Sequence, residues 1–434
     1  MVVSVENAIT DPVRKALLVA VVAAWLLPLV VCPVYGEEDS GARKVIVRVV
    51  TILSTDEQGA GLRYPSSVYC DLAMDETYVV EGGEGKVIVY GPNFFPVASL
   101  AGGRGADAPR GIYIDSKNNL YVCQGKSASR PGRVTIYNPA FFPEREITFA
   151  DMPEGENFAP GNLVIGMTGK MYISGLNTRG VMVLDDTGGF LHWLKPQDRI
   201  VDPKAIESLE QAEALDPEAR PTDSMDSDES KTAEEEDELK KLLPPALLPK
   251  VQAVEPTEET AVIGPVKIVD IKRDSTGHLY LLSEETSKVY VYNAAEEFLF
   301  SFGRKGGSTG KMSRPKSLVI DEKRKAVFIV DYMRHTILIY DLGGRFMYEF
   351  GGLGRAPGWF QYPSGLALNR EGQLLVADLF NHRVQVLDVQ FAYTFPMFTA
   401  PEEQEPPSDG ATPDKGRAEE PVPGAGEIFQ PQPL

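Results

Sequence analysis

The chain has 434 residues, a formal net charge of −19, 43% hydrophobic residues and three cysteines. Such acidity argues against a nucleic-acid partner, which needs a basic footprint. The cysteines form no CxxCH, so covalent haem is unsupported.

In chain order, the first feature is an apolar run from Ala16 to Val31, preceded by Arg14-Lys15 and followed by Pro33-Val34-Tyr35-Gly36. This pattern reads as an export signal or N-terminal anchor over residues 1–36, with cleavage expected after Gly36. The run is short for a bilayer span of about 20 residues. Lipid attachment at Cys32 is a further alternative. Export would place the protein in the periplasm or cell envelope and leave Cys70 and Cys123. These two are expected to be small buried side chains, with a disulfide between adjacent units as the alternative.

From residue 64 a unit recurs six times: a turn residue, a short apolar strand ending in Asp or Asn, a turn, a second apolar strand, a polar loop and a third strand. The first copy reads Val68-Tyr69-Cys70-Asp71, Thr77 to Glu81, and Lys86 to Tyr90. The second has Ile112-Tyr113-Ile114-Asp115, Leu120 to Cys123 and Arg133 to Tyr137. The third has Leu163 to Gly166, Met171 to Ile173 and Val181 to Leu184. The fourth has Ile271 to Asp274, Leu279 to Leu282 and Lys288 to Tyr292. The fifth has Leu318 to Asp321, Val327 to Asp331 and Thr336 to Tyr340. The sixth and clearest runs Leu366 to Asn369, Leu374 to Asp378 and Val384 to Asp388. Fourth strands are visible at Phe298–Phe302 and Phe346–Phe350.

A period of about 44 to 51 residues, with Val, Ile, Tyr and Phe in the runs and Gly, Asn, Asp and Pro between them, predicts an all-β, six-bladed β-propeller. No single blade can bury both of its faces, whereas six packed side by side can. The propeller is expected over residues 44–398. Two strands could close the ring: Lys44 to Thr51 or Phe391 to Phe395. The first is preferred, as a latch between the last and first repeats.

An insertion at 195–262 breaks the repeat. It carries about 19 acids and 8 bases, and the Pro/Glu-rich tail 399–434 about 8 acids and 2 bases. Together they supply about −17 of the net charge, so the propeller body is near neutral. Both read as disordered, with helices conceivable after Asp202-Pro203 and over Glu234 to Leu243. The insertion is read as a tolerated surface loop or as a partner-binding arm. Basic residues concentrate in the fourth and fifth copies, among them Lys267, Arg304, Lys305, Lys311, Arg314 and Lys316.

Asp378-Leu379-Phe380-Asn381-His382-Arg383-Val384 resembles the NHL repeat, and Asp331-Tyr332-Met333-Arg334-His335-Thr336 is a weaker copy. The resemblance implies a binding or sensor propeller of an exported bacterial type. It also raises, from related propellers, a divalent-metal-dependent hydrolase or lyase. The repeat's acid is kept at Asp331 and Asp378 but reads Glu81, Gln124, Gly175 and Ser283 in the other copies. The acids ending the first strands (Asp71, Asp115, Asp274, Asp321 and, as its amide, Asn369) are expected to hold turns; their sharper reading is oxygen ligation of Ca²⁺ near the channel mouth. His335 and His382 share a repeat position and are expected to be turn or packing residues. No HxxxH, GxSxG, Walker or Rossmann pattern occurs, and the basic glycine loop Gly303-Arg304-Lys305-Gly306-Gly307 leads to no helix. The expectation is a non-enzymatic platform for a protein partner in the cell envelope, in contact with membrane only through an uncleaved N-terminal segment.

Overall fold

The computed structural model describes residues 44–127, 130–201 and 261–392. The N-terminal segment 1–36, Cys32, the two helices considered within the insertion, and the tail lie outside the described residues.

The chain opens with β1 (Lys44–Leu53). The first blade is β2 (Pro65–Asp71), β3 (Glu76–Glu81), β4 (Lys86–Tyr90) and β5 (Pro96–Leu100). The second is β6 (Pro109–Ile114), β7 (Leu120–Gln124), β8 (Arg133–Tyr137) and β9 (Pro143–Thr148). The third is β10 (Pro160–Ile165), β11 (Met171–Gly175), β12 (Val181–Leu184) and β13 (Phe190–Leu194). A hairpin of β14 (Gln197–Val201) and β15 (Ala261–Pro265) follows. The fourth blade is β16 (Asp270–Arg273), β17 (Leu279–Ser283), β18 (Lys288–Tyr292) and β19 (Phe298–Phe302). The fifth is β20 (Pro315–Asp321), β21 (Ala326–Asp331), β22 (Thr336–Asp341) and β23 (Phe346–Gly351). The last has β24 (Pro363–Leu368), β25 (Leu374–Asp378) and β26 (Arg383–Ala392), and takes β1 as its outer strand.

Every blade is an antiparallel meander, so the inner strands β2, β6, β10, β16, β20 and β24 run in one sense. Each touches the next, and β24 touches β2, closing the circle. The inner strands begin on what we term the upper face and end on the lower. Middle strands such as Leu120–Gln124 and Ala326–Asp331 are buried along their whole length, because blades cover both of their faces. Apolar cores fill the seams: Val80, Val87 and Ile112 between the first two blades, Phe328, Val330 and Val376 between the fifth and sixth, and Val79, Ile88 and Ala377 between the sixth and first.

The N-terminal strand, not the C-terminal one, supplies the closing strand. β1 pairs with β26 from Lys44↔Ala392 to Leu53↔Val384, with one bulge between Val49 and Thr51. Phe391 belongs to β26 itself. Val45 enters the core between the fifth and sixth blades and Leu53 the core between the sixth and first. The last sheet is thereby built from both ends of the repeat array.

Close approach at the hub selects small residues. A Cβ on Gly365 would lie 2.9 Å from the Ser67 Cα, and one on Gly111 would lie 2.2 Å from the Gly161 carbonyl oxygen. The hairpin takes up 197–201 and 261–265, so both ends of the expected insertion are ordered. Ile200 is buried between the third and fourth blades, and Lys288 and the Tyr290 hydroxyl both bond to Asp198, at 2.8 and 2.6 Å.

Cys70 and Cys123 are free and buried in two different seams. The disulfide alternative is corrected accordingly: each thiol faces its own apolar core. Burial pushes the Cys70 thiol up to about 12 and raises that of Cys123 as well.

Candidate binding face

The repeat's acid has a structural task, which explains its erratic identity. Its oxygen accepts the N–H of the loop that leads into the same blade's inner strand. Asp378 takes Gln361 N (2.7 Å), Asp331 takes Arg314 N (3.1 Å) and Ser313 N, and Glu81 takes Arg63 N. In the second blade Gln124 takes Asp107 N (2.7 Å), while Asp107 supplies the carboxylate to the buried Arg133 (3.0 Å). Where the third and fourth copies read Gly175 and Ser283, the strap has moved two residues onward. Asn177 Oδ1 accepts Ala159 N (2.9 Å) and Glu285 Oε2 accepts Lys267 N (3.3 Å). All six blades therefore keep the strap, and neither Asn177 nor Glu285 was singled out in the sequence. Their signal was an Asn or Glu two positions past an apparent gap.

The first-strand acids occupy five separate turns. Asp71 Oδ1 accepts Ala73 N (2.9 Å), Asp115 Oδ1 accepts Lys117 N and Asn119 N (2.8 and 2.9 Å), and Asp274 Oδ1 accepts Thr276 N and His278 N (3.0 and 2.8 Å). Asp321 accepts Arg324 N (3.0 Å), and Asn369 accepts Gln373 N (2.8 Å). Each is a local side-chain bond to an N–H two to four residues onward that holds its turn. The fold does not bring the five together, and among the described residues no group of three or more His, Cys, Asp or Glu could hold a metal ion.

The hub instead contains Asp270, unremarked in the sequence. Fully buried, it accepts Ile271 N (2.8 Å), Lys272 Nζ (2.9 Å), the Ser317 hydroxyl (2.8 Å) and Leu318 N (2.9 Å). Ser317 Oγ then accepts Leu366 N at 3.3 Å. This relay joins the inner strands of the fourth, fifth and sixth blades. A buried carboxylate is tolerated because all its oxygens are bonded.

The histidines at the shared repeat position act as inter-blade latches. His335 Nδ1 accepts Tyr362 N (2.9 Å) and His382 Nδ1 accepts Tyr64 N (3.3 Å). Each tyrosine immediately precedes the first proline of the next blade. Accepting through Nδ1 requires the neutral ring, and burial depresses the His335 imidazole to about 4. His278 is a turn residue on Asp274 (3.0 Å), and His192 bonds Glu296 on the next blade.

On the upper face these pieces form a continuous arc. Arg179 grips Glu285 with two bonds of 2.7 and 2.8 Å. Neighbouring Glu284 meets Lys316 and, at 3.6 Å, Arg314. Burial raises the Glu284 carboxyl, but Lys316, Arg314 and Lys267 outweigh it and the net shift is downward. Lys316 Nζ lies 5.7 Å from the centre of the Tyr332 ring, a cation–π distance. The rings then continue edge-on or tilted: Tyr332 to Tyr362 at 4.8 Å, Tyr362 to Phe380 at 5.2 Å and Phe380 to Tyr64 at 5.6 Å. Tyr332, Phe380 and Tyr64 remain half-buried. The arc spans five blades and rests on the straps and latches, so its side chains sit on a rigid frame.

Comparison with known proteins agrees with this architecture. A family model described as NHL repeat matches residues 360–387, and one described as 6-bladed beta-propeller matches residues 256–351. None of the curated proteins matches the chain. Among solved structures, a protein of unknown function from Bacteroides thetaiotaomicron is 12% identical with a TM-score of 0.50, over 80% of this chain and 76% of that one. At that identity the likeness is one of fold alone. An auxiliary nutrient binding protein from the same organism is similar at 12% identity and TM-score 0.49, over 80% and 77% of the two chains. Virginiamycin B lyase from Staphylococcus aureus is similar at 9% identity and TM-score 0.46, over 79% and 99%. The protein is a six-bladed β-propeller carrying the NHL repeat.

Proposed function

We propose that this propeller is a non-enzymatic binding module of the bacterial cell envelope, exported by its N-terminal segment, which holds a protein partner on its upper face. The observation that carries the reading is the arc from Arg179 to Tyr64. It presents fixed aromatic edges and paired charges from five blades, the kind of anchor set that dominates protein interfaces. The carboxylates that might serve chemistry are committed elsewhere: the strap acids hold loop N–H groups, the first-strand acids hold turns, and Asp270 holds the hub. A frame of this sort suits presentation of loops.

The test is cross-linking and capture from intact cells using the full-length protein, beside a Tyr64→Ala/Phe380→Ala variant. Recovery of one envelope protein that the variant fails to recover supports the reading. Equal recovery by both refutes the upper-face assignment. Stoichiometric metal in the purified protein, together with turnover of a small substrate, refutes the non-enzymatic one.

A further inference from the structure

The two loops that lead into the fifth and sixth blades share one design. In residues 303–316, Met312 N bonds Arg304 O (2.8 Å) and Gly306 N bonds Met312 O (2.9 Å). In residues 351–363, Phe360 N bonds Gly352 O (2.9 Å) and Gly354 N bonds Phe360 O (3.0 Å). The turn Arg334-His335 ties them together: Arg334 Nη1 bonds Lys311 O on one side, and Gly352 N bonds His335 O at 2.9 Å on the other. They therefore form one surface on the upper face, which borders the arc at Arg314, Lys316 and Tyr362.

Glu284 is paired with Arg314 and Lys316, and Glu349 with Arg334, so the charge left over on this surface is positive. Residues 303–316 carry Arg304, Lys305, Lys311, Arg314 and Lys316, residues 351–363 carry Arg355, and neither loop contains an acid. Arg304, Lys311 and Arg355 are exposed, and their side chains form no ion pair among the described residues. In the loop that carries Arg355, Trp359 and Leu353 are each 50% exposed. Trp359 lies on a floor of glycine: a Cβ on Gly352 would come within 2.6 Å of its ring, and one on Gly354 within 3.1 Å of its Cβ. Arg383 fixes its carbonyl at 3.0 Å. The ring is a rigid apolar anchor on the same surface as the exposed Arg304, Lys311 and Arg355, on a molecule whose total charge is −19.

We propose that this surface docks an acidic polypeptide segment bearing an aromatic or branched apolar side chain among its acids. The inference rests on the reading of the upper face as a partner-binding face and names the partner's chemistry there. A short segment feels the local cations, because charges beyond about 8 Å are screened at physiological salt. A long polyanion such as nucleic acid needs a broader basic footprint than these few cations supply.

The probe is a fluorescein-labelled, twelve-residue peptide of glutamates around a central Phe-Leu pair, titrated with the full-length protein by anisotropy at two salt concentrations. Binding should weaken with salt. It should fall about tenfold or more in Arg304→Glu/Lys311→Glu/Arg355→Glu and in Trp359→Ala, the size expected of truncated anchors. Lys323→Glu/Lys325→Glu, on the lower face, should bind like the parent. Arg355→Glu alone changes one exposed side chain and guards against misfolding; it should show a smaller loss of the same sign. No binding by the parent, or equal losses in the upper-face and lower-face variants, overturns the proposal. Equal or tighter binding of a single-stranded oligonucleotide overturns the polypeptide assignment. If the peptide fails while envelope capture still depends on Tyr64 and Phe380, the partner-binding reading stands and this inference alone falls.

Discussion

Asp378→Ala should be the most damaging single change in the strap system. Asp378 is fully buried and accepts four donors: Gln361 N at 2.7 Å, Arg383 Nε at 2.8 Å, Asn381 Nδ2 at 2.9 Å and Gln385 Nε2 at 3.0 Å. Alanine leaves the nearly buried guanidinium of Arg383 without its counter-charge, a loss of about 3–5 kcal/mol. Asp378→Asn keeps one acceptor for Gln361 N and removes the charge, which should cost about 1.5–3 kcal/mol. Asn177→Ala, the strap of the third blade, loses two neutral bonds at an exposed site, the one accepted from Ala159 N and the one donated to Asn157 O, and should cost about 1–2 kcal/mol. Equilibrium urea unfolding measures all three as shifts of midpoint at constant slope. The order of the effects is the test, because it follows from charge and burial rather than from repeat position. A cost below about 1 kcal/mol for Asp378→Ala, or equal costs for Asp378→Ala and Asn177→Ala, would refute the strap argument.

Three further outcomes follow from the same frame. Deleting residues 44–53 removes the closing strand and the burial of Val45 and Leu53, which alone contribute about 3–6 kcal/mol; calorimetry should show a lower, broader transition, and an unchanged one refutes the latch. Acidification should destabilise the fold through His335, whose ring takes a proton near the ordinary 6.5 when unfolded but only near about 4 when folded. Between those values the unfolded chain holds the extra proton, so stability is full above the upper value and falls toward the lower by up to about 3 kcal/mol. His335→Asn, which suits the left-handed backbone there (φ 57°), should flatten that part of the stability–pH curve, and an unaltered slope counts against the latch. Finally, Cys70 and Cys123 should resist a thiol-labelling reagent until the ring unfolds, since both are buried and their thiolates are disfavoured; rapid labelling of the native protein contradicts the seam assignment.

Periodicity made the architecture legible. Six copies of apolar runs separated by Gly, Asp, Asn and Pro can bury their faces only against one another, and that demand determines a ring of blades whatever the side-chain details. The role of the first-strand acids as turn holders was also readable, because such a side-chain bond is local. The strap was not. Gly175 and Ser283 look like losses along the chain, yet Asn177 and Glu285 reach the same N–H groups in space. Asp270 was equally silent, because its partners Ser317 and Leu318 lie on the next blade. The arc from Arg179 to Tyr64 joins residues far apart in sequence, and its last contact, Phe380 to Tyr64, exists only when the circle closes. Sequence alone determined which segments become strands and how often they recur, since both follow from short-range alternation and turn chemistry. Tertiary structure alone decided which polar groups face each other across the seams, since those distances exist only once the ring is shut.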